Sequence, residues 1–246
     1  MYSSILNSLS DFPLKTILIG VNWTAVVVDK GGIQQCGLAS TVTGDHGHSS
    51  EPTILDPGNL ERNSALELSS WINSDISLRR SIACAAINAL LPLDSSHWVD
   101  QNAETAIHTH GRGKKVVLIG HFPFVEKLNI ELEELTVLDI NPTGEDLPAS
   151  AASEVLPEAD LVAITGMTFI NHTLPSLLNL CKPEAFILML GPSTPLTPIL
   201  YDFGVNLLAG AVVENIPAVL AAISQGANFR QVHKAGVRLV TQVAAD

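Results

Sequence analysis

Small and hydrogen-bonding residues recur at four places in the second half of the chain, each time directly after a short apolar run. The four segments are 120–124, 139–142, 165–173 and 191–195. In an open parallel sheet, ligands bind beyond the carboxyl ends of the strands, where loops and helix N-termini present unpaired N–H groups. The sequence therefore predicts one polar ligand site that is assembled from these four turns.

The residues expected to contact a ligand are mostly glycines, prolines and short polar side chains, with one histidine and one carboxylate. They are Gly120, His121, Phe122, Pro123, Asp139, Thr165, Gly166, Thr168, Asn171, Gly191, Pro192, Ser193 and Thr194. Helix N-termini after Thr168 and Ser193 are expected to receive negative atoms. A purely structural interpretation is also open, because Thr194 before Pro195 is typical of a helix cap and glycines permit tight turns. Convergence at one rim favours the ligand site.

Two of the eight histidines, His121 and His172, come just after predicted strands. Imidazole nitrogens bind transition metals and Asp139 can supply an oxygen, so these three residues are the predicted metal ligands. His121 is also the candidate acid/base residue if the protein is an enzyme. Loop histidines are usually surface hydrogen-bonding groups, and the sequence contains no HExxH or CxxC motif.

A dinucleotide site is the main alternative at the first turn. Residues 120–125 read Gly-His-Phe-Pro-Phe-Val, so bulky residues stand where GxGxxG needs glycine for close approach of a pyrophosphate. Asp139 does lie about 20 residues further on, where an acid bonds ribose hydroxyls. The sequence thus does not predict an NAD site, and it leaves a smaller adenosine-type ligand open.

The apolar runs that precede these turns are spaced for parallel strands. They lie at 116–119, 135–139, 161–165, 185–190 and 205–208, with helix-length segments between them. Near-continuous apolar strands spaced roughly 20–25 residues apart indicate a parallel sheet that is buried on both faces. Residues 113–246 are therefore predicted to form a Rossmann-like domain, to which residues 237–243 add an edge strand.

Residues 1–94 have a different pattern, which predicts a smaller α+β domain. Three β-branched runs are separated by tight turns, and the Asp-Lys-Gly-Gly sequence at 29–32 is typical of a hairpin. Strands joined in this way are antiparallel. Two helices, at 61–72 and 76–91, are expected to close this half.

Two further segments connect the predicted elements. Segment 43–59 is rich in Gly, His, Ser and Pro and has no periodicity, and the roles of His46 and His48 within it are left open. Residues 95–112 are expected to link the two halves and to contain a helix at 101–110.

Composition indicates a folded, acidic chain. Hydrophobic residues make up 46% and charged residues 15% of 246 residues, which permits a sizeable core and excludes a disordered chain. The net charge of −12 repels a phosphate backbone, so no nucleic-acid partner is expected. The chain shows neither an apolar stretch of about 18 residues nor a signal-peptide pattern, which predicts a cytoplasmic protein without membrane contact. High hydrophobicity with few charges predicts a homo-oligomer.

Several ungapped motifs resemble one known family, in the expected order along the chain. They are VVLIGHFPFV (116–125), LDINPTGEDLP (138–148), ITGMTFINHT (164–173), LGPSTPLTP (190–198) and FGVNLLAG (203–210). By these motifs the chain resembles the putative heavy-metal chelation proteins, in which an enolase-N-terminal-like α+β domain precedes a Rossmann-like domain and the biochemical function is largely unknown. The similarity extends more weakly into the first half, through GLAST (37–41) and AINAL (86–90).

The resemblance implies a ligand cleft between the two halves. It implies that this cleft is lined by His121, Asp139, Thr165, Thr168, Asn171, Ser193 and Thr194. It also implies a glycine where this chain has His172, so any role of that imidazole would be particular to this chain. The resulting hypothesis is that the cleft binds a heavy metal, a metal chelate or a small anion, with a transition-metal ion or metal chelate as candidate cofactor. The alternative is an enzyme that uses an adenosine-containing cofactor in the same cleft.

Overall fold

A computed structural model describes residues 1–44, 52–99 and 101–243, which leaves His46 and His48 outside the described residues. It contains an eight-stranded, mostly parallel sheet and a three-stranded antiparallel sheet. The predicted fold class, a Rossmann-like sheet preceded by a smaller α+β unit, is confirmed. Among the helices of the described ranges, none combines the length and apolar character needed to cross a membrane.

The first half of the chain builds the antiparallel sheet and the helices that pack on it. Its elements are α1 (Tyr2–Ser8), β1 (Leu14–Ile19), β2 (Trp23–Lys30), β3 (Ile33–Ser40), α2 (Ala65–Ser70) and α3 (Ser77–Leu90). The predicted hairpin joins β2 to β3, and both glycines of its turn, Gly31 and Gly32, have a positive φ. The helix predicted at 61–72 is shorter, because Ser64 and Glu67 form a capping box that starts α2 at residue 65. Short 3₁₀ turns flank it at Leu60–Arg62 and Trp71–Asn73.

The second half forms the large sheet. Its first elements are β4 (Trp98–Val99), α4 (Ala103–Gly111), β5 (Lys115–Ile119), α5 (Val125–Glu131), β6 (Glu134–Asp139), β7 (Leu147–Pro148) and α6 (Ala152–Val155). They are followed by β8 (Leu161–Thr165), α7 (Met167–Ile170), α8 (Leu174–Leu180), β9 (Phe186–Leu190), β10 (Leu207–Val213), α9 (Ile216–Ser224), α10 (Phe229–Gly236) and β11 (Val237–Val243). Further 3₁₀ turns lie at Ser95–His97, Ala149–Ala151, Leu156–Glu158 and Pro198–Phe203.

The strand order of the large sheet locates its ligand-binding edge. The order is β4-β11-β10-β9-β8-β5-β6-β7, and the strands from β10 to β6 are all parallel. The chain thus starts at β5, adds β6 on one side, and then adds β8, β9 and β10 on the other. This is a doubly wound order, in which the loops after β5 and β8 diverge and leave a crevice between them at the carboxyl edge.

The last strand departs from a simple parallel sheet. Helices α9 and α10 pack against each other and return the chain to the end of β10, where Glu214 N donates to Gly236 O at 2.8 Å. Strand β11 therefore runs antiparallel to β10 along its whole length. The prediction that β11 is an edge strand is wrong over its last residues, since β4 pairs with Thr241 and Gln242 on its other side.

The main apolar core is shared by both halves. One cluster of buried side chains includes Val26 and Ile87 from the first half and Val117 and Phe169 from the second. Hydrogen bonds also cross between the halves, for example from Tyr2 Oη to Phe169 O at 3.1 Å. The division into domains at 1–94 and 113–246 with a linker at 95–112 stays a prediction, and the packing makes the two halves one body.

Candidate functional site

A cavity of about 1160 Å³ lies at the carboxyl edge of the large sheet, beside the crevice between β5 and β8. The turns after β5, β8 and β9 line it, together with parts of β10 and β11, the end of β3 and the junction around β4. Small-molecule sites usually measure roughly 300–1,000 Å³. The cavity is therefore large enough for an organic ligand and much larger than a single ion requires.

Seven of the thirteen predicted contact residues line this cavity. They are Phe122, Pro123, Thr165, Gly166, Gly191, Pro192 and Ser193. They come from the turns after three neighbouring strands, β5, β8 and β9. Three of the four predicted turns thus line one cavity, and no residue of the turn after β6, 139–142, lines it.

Close packing holds the turn after β8 against the turn after β9. A Cβ at Gly166 would lie 2.6 Å from Thr194 N and 2.8 Å from Ser193 C, so only glycine fits there. Gly191 has the opposite surroundings, since no atom lies within 4 Å of a Cβ placed on it, and its φ of +108° favours glycine for conformational reasons. The backbone at Gly191 is therefore open to a ligand.

Ser193 joins this turn to the first half of the chain. Its side chain is buried, and its Oγ accepts a hydrogen bond from Ser40 N at 2.9 Å. The two serine hydroxyls are also 3.2 Å apart. Because Ser40 ends β3 and also lines the cavity, this contact joins the two halves at the cavity wall.

Of the residues that the structure describes, five aromatic ones line the cavity, and Phe122 is the one among them that was predicted as a contact residue. They form three groups: Phe122 stacks on Phe124 with ring centroids 5.3 Å apart, Trp23 packs against Phe229 at 5.5 Å, and Trp98 lies beneath a guanidinium. All five rings are only partly buried. Partly exposed rings that surround one space provide surfaces on which a flat ligand can stack.

Arg238 is the one charged side chain among the described residues that line the cavity. Its Cζ lies 5.4 Å from the ring centroid of Trp98, and its Nη1 lies 3.9 Å from Glu214 Oε1. Both partners of that ion pair are more than half exposed, and exposed pairs contribute at most about 1 kcal/mol. The chain has 25 acidic and 13 basic residues, yet the described lining contains no carboxylate. Within the described lining, the charge available to a ligand is therefore positive.

Three of the other predicted contact residues make hydrogen bonds within the protein, two of them within their own turns and one to the neighbouring strand. Thr168 Oγ1 donates to Thr165 O at 2.7 Å, and Asn171 Oδ1 accepts hydrogen bonds from Thr173 N and Oγ1. Gly120, with a φ of +104°, donates its N–H to Leu138 O and ends β5. These contacts give each residue a structural role.

The expected helix N-termini are not formed as predicted. Within the described residues 191–197 no helix begins, so neither the cap at Thr194 nor the helix after Ser193 is correct. Prolines at 195 and 198 disfavour helical backbone in the residues that precede them, and the next helical turn is capped by Thr197 instead. Thr168 lies in α7, which has only four residues. The two predicted helix N-termini therefore provide no anion site at this cavity.

His121 and Asp139 lie beside the cavity, on the β6 side of the turn after β5. His121 Nδ1 is 2.8 Å from Asp146 Oδ2, and Asp139 Oδ2 accepts a hydrogen bond from His121 N at 2.9 Å. The side chain of Asp146 is only 5% exposed, whereas that of His121 is 44% exposed. Burial raises the pKa of Asp146, but hydrogen bonds from Thr143 and His121 outweigh it and hold the pKa below its usual range. Asp146 thus orients the imidazole.

The three residues predicted as metal ligands do not converge. The imidazole of His172 lies against the first half, with Nε2 2.5 Å from Ile72 O and its ring 5.1 Å from that of Tyr2. Its φ of +65° explains why a glycine would suit this position. Throughout the described ranges, no three His, Cys, Asp or Glu side chains are grouped to hold a metal ion. Because metal sites need several convergent ligands, these residues do not fit a resident heavy-metal ion.

Sequence reasoning missed Arg238, the aromatic residues other than Phe122, and Asp146. A signal existed for Asp146, which follows Gly144 in the turn after β6 and lies in a motif of the family resemblance. No local signal marks Arg238 or Trp98, because the pairing of β11 with β10 and with β4 brings them to the cavity.

The fold and the cavity define a two-part α/β protein with a ligand-sized space between its parts. The family model DUF364, described as "Putative heavy-metal chelation", matches residues 104–241. A second model with the same description, DUF4213, matches residues 2–91. The chain therefore belongs to this family, and the resemblance inferred from its motifs is confirmed.

Relatives with the same two-part fold are known as structures. A crystal structure of a DUF364-family protein of unknown function from Desulfitobacterium hafniense DCB-2 is 25% identical, covers 98% of this chain and 97% of its own, and has a TM-score of 0.83. A second, from Pyrococcus horikoshii, is 23% identical with a TM-score of 0.82 and covers 98% of both chains. An uncharacterized protein of Methanocaldococcus jannaschii is 26% identical over 218 residues, which are 85% of this chain and 82% of that protein.

Proposed function

We propose that this protein binds a small organic anion, free or complexed with a metal, in the cavity between its two halves. The observation that carries the proposal is the lining: among the lining residues that the structure describes, one charged side chain, Arg238, stands among aromatic rings and open turn backbone. The described donor set does not suit a bare metal ion. A metal would therefore enter as a chelate, with its ligands supplied by the organic partner.

The contacts proposed for the ligand follow from which predicted residues line the cavity. Gly191 presents open backbone, Thr165 presents a hydroxyl, Phe122 presents a ring, and Ser193 lines the cavity while its own hydroxyl bonds Ser40. Asp139, Thr168, Asn171 and Thr194 are proposed to hold these turns in place.

Binding of 8-anilinonaphthalene-1-sulfonate, a fluorescent organic anion, tests the proposal. Ala103 lines the cavity, so Ala103→Phe should fill part of it and abolish stoichiometric binding. Ala221 is exposed on α9 and outside the cavity lining, which makes Ala221→Phe the matched control with wild-type binding. Equal binding by both variants would contradict the proposed site.

Competition against the bound dye tests the form in which a metal enters. The nickel complex of pyridine-2,6-dicarboxylate should displace the dye from metal-stripped protein, while nickel chloride should not. Displacement by nickel chloride alone would show that the protein itself supplies a metal site and would contradict the chelate form.

The second candidate function is an enzyme that uses an adenosine-containing cofactor. The contact between His121 Nδ1 and Asp146 favours it, because a carboxylate that fixes one ring nitrogen leaves Nε2 to exchange a proton with a substrate. Native mass spectrometry of protein purified without added ligand would reveal a co-purified nucleotide. Nucleotide-free protein that still binds the dye favours the binding function alone.

A further inference from the structure

From the arrangement of rings and charge, we infer the class of ligand: a flat aromatic ring system that carries an anionic group, with the rings on the aromatic wall and the anion at Arg238. This inference rests on the proposed function and makes it more specific. It separates aromatic anions from aliphatic anions of the same charge and from neutral aromatic molecules of the same shape.

The aromatic wall is built from parts of the chain that are distant in sequence. Trp23 starts β2, Trp98 forms β4, Phe122 and Phe124 follow β5, and Phe229 starts α10. Each ring keeps part of its surface exposed, whereas Phe169, a core residue, is fully buried. The chain therefore leaves apolar ring surface facing one space instead of burying it. Collected apolar surface of this kind marks a binding site.

The ring geometry suits stacking with a planar ligand. The planes of Phe122 and Phe124 are inclined by only 2° and form a nearly parallel pair, while the guanidinium of Arg238 lies over Trp98. Aromatic groups prefer offset stacked or edge-to-face contacts at centroid distances of about 4.5–7 Å. A flat ligand can make such contacts with these rings, and an aliphatic chain of equal area cannot.

The position of Arg238 specifies the charge of the ligand. It lies in β11 next to Leu239 and Val240, which also line the cavity, and its long ion pair with Glu214 is exposed to water. A guanidinium forms charge-assisted, often bidentate hydrogen bonds with carboxylate, sulfonate or phosphate oxygens. Within the described lining no carboxylate pairs with this cation, and Glu214, its partner outside the lining, is 3.9 Å away and more than half exposed.

Two dyes with the same rings separate the charge from the shape. 8-Anilinonaphthalene-1-sulfonate carries a sulfonate, and N-phenyl-1-naphthylamine is the same molecule without it. Wild-type protein should bind the sulfonate dye about tenfold more tightly than the neutral dye, which is the effect of one charged hydrogen bond. Arg238→Gln should weaken the sulfonate about tenfold and leave the neutral dye within about twofold. Arg238 is more than half exposed, so this variant should fold as the wild type does.

Arg79 provides a matched control for Arg238. Its guanidinium also lies over a tryptophan, Trp71, at 6.0 Å, but neither residue lines the cavity. Arg79→Gln should therefore change neither affinity. Equal affinities of the two dyes for the wild type, or equal effects of the two arginine variants, would overturn the assignment of the anion to Arg238.

A ring-removing variant tests the aromatic part. Phe122→Leu keeps apolar volume but removes a ring, and should weaken the sulfonate dye about two- to tenfold, the range measured for aromatic pairs. Octane-1-sulfonate, measured by its displacement of the dye, should be unaffected. If Phe122→Leu weakened the binding of the sulfonate dye and of octane-1-sulfonate equally, the inferred contact between ligand rings and aromatic side chains would be overturned. Each of these outcomes can be told apart from the outcome that contradicts the proposed function itself. That outcome is equal dye binding by Ala103→Phe and Ala221→Phe.

Discussion

Replacing Gly166 by alanine should disturb the cavity through a single steric contact. Gly166 follows β8, and its backbone has a φ of −57° that any residue can adopt, so the conformation itself tolerates a side chain. The added Cβ would lie 2.6 Å from Thr194 N and 2.8 Å from Ser193 C. Both are backbone atoms of the next turn, which cannot rotate away as a flexible side chain would.

The size of the effect follows from these distances. Thr194 N would have to move by about 0.8 Å to reach an ordinary contact distance of 3.4 Å. Shifts of this kind in a packed interior cost about 1–3 kcal/mol of unfolding free energy. At about 2–4 °C per kcal/mol for a chain of this size, the melting temperature should fall by about 2–12 °C.

Thermal unfolding followed by circular dichroism measures this effect. The same variant should bind 8-anilinonaphthalene-1-sulfonate more weakly, because the displaced turn includes Ser193, a cavity residue. A melting temperature within about 1 °C of the wild type, with unchanged dye binding, would refute the close packing of the turns after β8 and β9.

Three further predictions concern the same framework. Gly37→Ala should lower the melting temperature more than Gly166→Ala does, since its Cβ would lie 2.1 Å from Ala85 O. Ser193→Ala should lower the free energy of unfolding, measured with denaturant, by about 1–3 kcal/mol because Ser40 N loses its hydrogen-bond acceptor. Ser40→Ala keeps that hydrogen bond and should lower it by less than about 1 kcal/mol. Asp146→Asn should lower the melting temperature at pH 7. Burial raises the pKa of Asp146, but hydrogen bonds outweigh burial and hold this pKa below its usual 3.8. The stability that the Asp146 carboxylate contributes is therefore lost as the pH falls through the lowered pKa. The difference in melting temperature between the variant and the wild type should shrink below pH 3.8.

Elements with a strong local pattern were predictable from the sequence. Strand β8 was predicted at residues 161–165 and has those bounds, because a continuous apolar run is ended there by Thr165 and Gly166. The runs predicted at 116–119, 135–139 and 185–190 likewise coincide with β5, β6 and β9 to within one residue at each end, whereas the run at 205–208 overlaps β10 (Leu207–Val213) only at the first two residues of that strand. Their order was not read from the sequence, yet the carboxyl ends of neighbouring parallel strands must share one edge, so part of the candidate site's lining was predictable too.

Features that depend on long-range pairing were not predictable. Arg238 and Trp98 reach the cavity because β11 returns antiparallel to β10 and then pairs with β4, and no local pattern encodes that return. His172 follows a strand end, as the metal hypothesis required, but the chain after α7 turns toward Ile72 in the first half. The position of a residue after a strand therefore predicted that the residue lies near the carboxyl edge of the sheet. It did not predict the direction in which the side chain points.

The predictions of a homo-oligomer, a cytoplasmic location and the absence of nucleic-acid partners stay predictions. The family membership agrees with a small-molecule or metal ligand and carries no statement about assembly. Sedimentation of the purified chain would measure the oligomeric state directly.

A crystal structure of the protein with bound 8-anilinonaphthalene-1-sulfonate tests the central claim most directly. We expect the naphthalene rings to lie against Phe122 or Trp98 inside the cavity, with the sulfonate within about 4 Å of the Arg238 guanidinium. Dye bound elsewhere on the molecule, with the cavity filled only by water, would contradict the account.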